Sequence, residues 1–126
     1  PNEHQGAELA NQAGGFCWTE LTTRDIDAAK AFYPRVFGWG VKDHPGYTEW
    51  TIDDRSIAGA MTMGDNFPPE VPPHWVVYFA VEDADATAAK AQELGGRASP
   101  IMDSPAGRFA ILNDPHGAVF AVIKLS

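Results

Sequence analysis

A chain of 126 residues holds enough sequence for one domain that buries a core without disulfide or metal staples. Its net charge of −8, with nine Lys and Arg residues scattered along it, excludes the basic patch that nucleic acids and anionic membranes require. The single cysteine, Cys17, excludes an internal disulfide and a cysteine-held zinc, and no run approaches the roughly 20 apolar residues of a membrane span. The N-terminus lacks the basic and apolar regions of a signal peptide, so a cytoplasmic protein is expected.

Residues 1–15 are polar, small and aperiodic, and read as an arm or linker. From Phe16 to Trp39 the chain reads as a strand feeding a helix. Cys17, Thr19 and Leu21 alternate with Trp18, Glu20 and Thr22, the period of a strand with two different faces. Asp25 caps a helix in which Ile26, Ala29, Phe32, Tyr33, Val36 and Phe37 form one apolar stripe for packing on a sheet, and Gly38 ends it. Pro34 has no N–H to donate and predicts a kink or a fresh helical turn. Tyr47 to Ile52 alternates, and Ser56 to Met63 follows the turn Asp53-Asp54-Arg55, which makes a hairpin. Gly64 to Pro73 carries four prolines and is the joint between two halves.

His74 to Gly96 repeats the opening. A shift of 58 residues carries Trp18 onto Val76 and Asp25 onto Asp83, and such self-similarity marks an internal repeat. Strands follow at Arg97 to Met102 and Arg108 to Leu112, around the turn Ser104-Pro105-Ala106-Gly107. Asn113 to Gly117 is a turn, and Ala118 to Leu125 is the last strand. The expected order is βαβββ, twice: module one at about residues 16–63, the joint at 64–73 and module two at about 74–125, within one domain spanning 16–126.

That order, with Asp25, Ala28-Ala29, Phe32-Tyr33 and Phe37-Gly38-Trp39 in the first half, resembles the vicinal oxygen chelate superfamily of glyoxalases, bleomycin-resistance proteins and extradiol dioxygenases. Val81 to Asp85, Leu94-Gly95-Gly96 and Asp114-Pro115-His116-Gly117 carry the resemblance in the second half. Pro72-Pro73-His74-Trp75 and Gly107-Arg108-Phe109 are similar to a tandem-repeat subgroup, sometimes found near antibiotic-biosynthesis genes. The resemblance implies an α+β fold in which the two modules form a curved mixed sheet around a funnel, with helices outside. It also implies homodimers or a tandem-domain partner. One scaffold of this kind hosts many chemistries, so the reaction is not implied.

Metal-dependent relatives place four ligands on funnel-facing strands. The repeat carries those positions onto Trp18, Val76, Gly59 or Ala60, and Ala121, and none of these side chains can bind a metal. A relocated pair, Glu20 and His74, lacks further donors, so no metal and no cofactor is expected. Trp18, Glu20 and Thr22, with His74, Val76 and Tyr78, are expected to point into the funnel, and Tyr47 or Trp50, Met61 and Ala121 to complete its wall. An aromatic-rich concavity of this kind suits a small aromatic or hydrophobic ligand; the other reading is that Trp18 and Trp50 plug the space.

The candidate acid and base groups are Glu20, His74 and Tyr78. Glu20 is a rim carboxylate paired with an arginine such as Arg108, or a buried general base. His74 is a strand-end histidine bonded to backbone, or a catalyst; Arg108 meets a ligand carboxylate, or is a surface arginine. Cys17 is expected as an inert core thiol. The function expected is metal-independent small-molecule binding. The alternatives are a lyase, isomerase or dioxygenase, metal-free through Glu20, His74 and Tyr78 or metal-dependent through relocated ligands, and a purely structural module with a filled funnel.

Overall fold

A computed structural model describes residues 12–64 and 67–126, so most of the expected arm lies outside the described residues. The elements run β1 (Phe16–Thr23), α1 (Ile26–Phe37), β2 (Gly40–His44), β3 (Tyr47–Ile52), β4 (Arg55–Thr62), β5 (His74–Ala80), α2 (Ala84–Glu93), β6 (Arg97–Ala98), β7 (Met102–Ser104), β8 (Gly107–Asn113) and β9 (Val119–Leu125). The chain divides into a central unit, Trp18–Val76, and a flanking unit that comprises Val77–Ser126 and the described residues before Trp18. The proline-rich joint therefore falls inside the central unit. There Arg24 donates to the carbonyls of Val71 and Pro68, and the Met63 N–H bonds the Thr23 carbonyl at 2.8 Å.

Both units use the same mixed pairing, and the fold class is the expected α+β. In the central unit the strand order is β2-β3-β4-β1, with β1 parallel to β4 and the other pairs antiparallel. In the flanking unit it is β5-β9-β8-β6, with β5 parallel to β9 and β7 also paired to β8. The repeat is visible at single residues. Asp25 accepts from the Ala28 N–H at 2.9 Å, and Asp83, 58 positions on, accepts from the Ala86 N–H at 3.0 Å. Each caps its helix by satisfying an amide that has no intrahelical partner.

The two cores differ in filling. In the central unit Leu21, Ala29, Trp50, Ala58 and Ala60 form the buried cluster, with Tyr33, Trp39 and Trp75 against it. In the flanking unit Ala88, Ala110, Leu112 and Val122 do so, with Val81, Ile101 and Phe120 alongside. Gly14 and Gly15 pair with Ala80 through N–H···O bonds of 2.6 and 2.9 Å, which ties the end of the arm to β5.

Three expectations are corrected here. Helix α1 runs through Pro34 without the break that a fresh helical turn would make, and beyond it the Gly38 N–H bonds the Pro34 carbonyl at 2.7 Å. Of its apolar stripe, Ile26, Ala29 and Tyr33 pack on the sheet, whereas Phe32, Val36 and Phe37 are more than half exposed. The run Arg97 to Met102 is two short strands with Pro100 between them, since proline cannot donate to a ladder. In addition, β2 supplies the third strand after α1 that the order βαβββ requires, over a range not read from the sequence.

Candidate functional site

The central sheet has two unlike faces, and register assigns residues to each. Leu21, Ala60 and Thr48 lie in one row across β1, β4 and β3, and Trp50 and Ala58 lie in the next; this face packs on α1. Alternation sends Trp18, Glu20 and Thr22 of β1 to the other face, with Gly59 and Met61 of β4 and Tyr47 and Glu49 of β3. The expected wall therefore splits. Trp18, Tyr47 and Met61 share the face, while Trp50 is turned away and fully enclosed. Tyr47 and Trp50 sit three residues apart on one strand, so the pleat could not place both on one face.

On this second face one side chain crosses a whole strand. Tyr47 starts on β3, passes over β4 at Gly59 and reaches β1, where the Trp18 Nε1–H donates to its hydroxyl at 2.9 Å. A Cβ at Gly59 would stand 1.7 Å from that hydroxyl and 2.4 Å from the ring carbon bearing it. The crossing thus depends on the missing side chain, the close approach that glycine inside a strand permits. Trp18 and Tyr47 are both half-buried, Met61 is exposed at 37%, and Glu20 is buried at 8%. Glu49 accepts from the Ser56 hydroxyl and pairs with His44 Nε2 at 3.0 Å; these contacts hold its carboxyl below the usual range. Both keep the charged form favoured.

The other predicted residues lie as follows. The His74 Nδ1–H donates to the Pro72 carbonyl at 2.8 Å, the backbone-bonded strand-end geometry. Val76 is buried, and its carbonyl accepts from the Thr19 hydroxyl at 3.2 Å. In the flanking unit Tyr78 is paired in register with Ala121, and both are buried. Arg108 is engaged at the surface: it bonds Asp85 at 2.7 and 3.1 Å and Asp103 at 2.9 and 3.0 Å. These bonds raise its pKa further and hold that of Asp85 below the usual carboxylate range. Burial raises the pKa of the Cys17 thiol, which keeps it protonated and unreactive at neutral pH.

At the positions that the resemblance carries over, Trp18, Val76, Gly59 or Ala60, and Ala121, no side chain offers a metal donor, and no group of three or more His, Cys, Asp or Glu among the described residues can hold an ion. An open groove of about 810 Å³ lies along α2 in the flanking unit, lined by Val81, Lys90, Leu94, Pro115 and Phe120. None of the predicted site residues borders it. It follows from the small side chains of α2, which leave space where the central unit has aromatic rings.

The sequence signal for this crossing is Gly59 itself, because a glycine interrupting an apolar strand marks a close approach.

The sequence profile of the Glyoxalase/Bleomycin resistance protein/Dioxygenase superfamily matches residues 15–122. CFP32 of Mycobacterium tuberculosis, a protein that carries a glyoxylase name, is 44% identical over 130 aligned positions, covering 98% of this chain and 49% of its own length. The anthracycline biosynthesis protein DnrV of Streptomyces peucetius is 44% identical over 126 positions, covering 96% of this chain and 45% of its own. The chain spans about half the length of these relatives.

Among solved structures, methylmalonyl-CoA epimerase from Mycobacterium tuberculosis superposes with a TM-score of 0.62 at 14% identity, over 97% of this chain and 96% of that one. The Mn(II)-bound glyoxalase from Novosphingobium aromaticivorans gives 0.59 at 18%, over 89% and 39%. At such identities the likeness is one of fold.

Proposed function

For a chain that belongs to the Glyoxalase/Bleomycin resistance protein/Dioxygenase superfamily, we propose metal-independent binding of a small aromatic or hydrophobic molecule on the Trp18 face of the central sheet. The observation that carries this reading is the hydrogen-bonded Trp18–Tyr47 pair, in which an indole stands at a position where a metal site would need a donor and the Tyr47 ring reaches it across Gly59. Half-buried aromatic rings offer contact area, and Glu20, Glu49 and the Tyr47 hydroxyl offer polar groups that orient a ligand. The relatives named for anthracycline biosynthesis support a small molecule over a macromolecule, as does the acidic charge balance.

The test is elemental analysis of untagged protein with thermal-shift titrations of Zn²⁺, Ni²⁺, Mn²⁺ and Fe²⁺, beside a panel of planar aromatic compounds. A ligand that binds only the folded state at a hundredfold excess over Kd contributes about 2.7 kcal/mol, which moves Tm by several degrees. The expected result is a shift from aromatic compounds and none from the ions. Stoichiometric metal with a concentration-dependent shift would overturn the reading.

A further inference from the structure

We infer that Trp18 is a preorganised stacking platform for a planar aromatic ring system, and that Tyr47 and Gly59 are the positioning residues that fix its plane. This deepens the proposed binding function and rests on it. An indole on a sheet face has two free torsions, and a flat ligand must stop both before it can stack. Here the indole is stopped in advance. Its single donor, Nε1–H, is held at 2.9 Å by a hydroxyl that arrives from two strands away.

The hydroxyl is held in turn by geometry that tolerates nothing larger than hydrogen at Gly59. With 1.7 Å between an added Cβ and the tyrosine oxygen, even alanine must push the phenol off the strand. Gly59 has no left-handed backbone angle, so its requirement is this contact and not its conformation. The platform is half-buried, with Met61 exposed on the same face, and so remains open to a ligand while its orientation is set.

The probe is proflavine, a planar cation suited to a chain of net charge −8. Its binding is followed by calorimetry and by the indole N–H cross-peaks of ¹⁵N-labelled protein, with Trp18→Phe identifying the Trp18 signal. Proflavine is expected to displace the Trp18 cross-peak by ring current while leaving that of the enclosed Trp50 in place. Tyr47→Phe and Gly59→Ala are each expected to weaken binding about five- to tenfold, as one lost hydrogen bond does.

A folded Tyr47→Phe or Gly59→Ala protein with wild-type affinity overturns the positioning role. If Gly59→Ala does not fold, Tyr47→Phe decides alone. Proflavine binding that leaves the Trp18 cross-peak unmoved overturns the platform while leaving an aromatic-binding site elsewhere. No binding of any planar compound overturns the platform and the proposed function together.

Discussion

Trp50 is fully enclosed with Ala58, its ring 5.6 Å from Tyr33 and 5.7 Å from Trp39, yet its indole Nε1 has no hydrogen-bond partner among the described residues. Two effects then oppose each other on substitution. A smaller ring loses packing, and the buried N–H is removed with it, relieving a desolvation cost of about 1–3 kcal/mol. Trp50→Phe is therefore expected to destabilise by no more than about 1 kcal/mol, against about 3–5 for Trp50→Ala. Urea midpoints of the two variants check this, and equal losses would mean that the indole N–H has a partner. The residue also shows where the pattern falls silent. Alternation along Tyr47 to Ile52 separates two faces correctly, but both faces carry a large aromatic ring, so hydrophobicity does not say which meets the helix. The reach of Tyr47 across Gly59 decides it, and that is a contact between residues twelve positions apart.

The hairpin between β3 and β4 turns on Asp53 and Asp54, both with positive φ, 51° and 63°. A two-residue loop with both residues left-handed matches the twist of its strands, and glycine fits the second position best. Asp54→Gly is expected to raise stability by about 0.5–1 kcal/mol, seen as a Tm increase of a few degrees by calorimetry; a fall would count against the turn. At this scale the sequence is legible where the two faces of a strand differ in burial, as in β5, and where an Asx cap opens a helix, as Asp25 and Asp83 do. Strand β2 was missed because all five of its residues are exposed, leaving no alternation to read. The stripe of α1 was over-read for the opposite reason: Phe32, Val36 and Phe37 keep the right spacing but lie beyond what the sheet covers.

Across the molecule, Asp43, Glu49, Asp85 and Asp114 all have pKa values below their ordinary range. The causes are bonds from Lys30, from Ser56, from Arg108 and from the backbone N–H groups of Ala118 and His116. A depressed folded value means that the unfolded chain takes up protons first as pH falls. The stabilisation is present above the unfolded pKa, near 4, and is lost as pH drops through the folded values. Protonation also relieves the repulsion of a net charge of −8, which acts the other way. The expected outcome is a urea midpoint flat from about pH 8 to 5 that falls below about pH 4, with the Asp85–Arg108 share weakened by salt. A midpoint that rose below pH 4 would mean that relief of repulsion wins.

The uneven filling of the two cores has an optical consequence. All four tryptophans, Trp18, Trp39, Trp50 and Trp75, belong to the central unit, and the flanking unit has none. Intrinsic fluorescence excited at the red edge therefore reads the central unit, whereas far-ultraviolet circular dichroism reads both units. The chain carries a built-in, unit-specific reporter: superimposed denaturation curves from the two signals make the units one cooperative body, and separated curves give each unit its own stability.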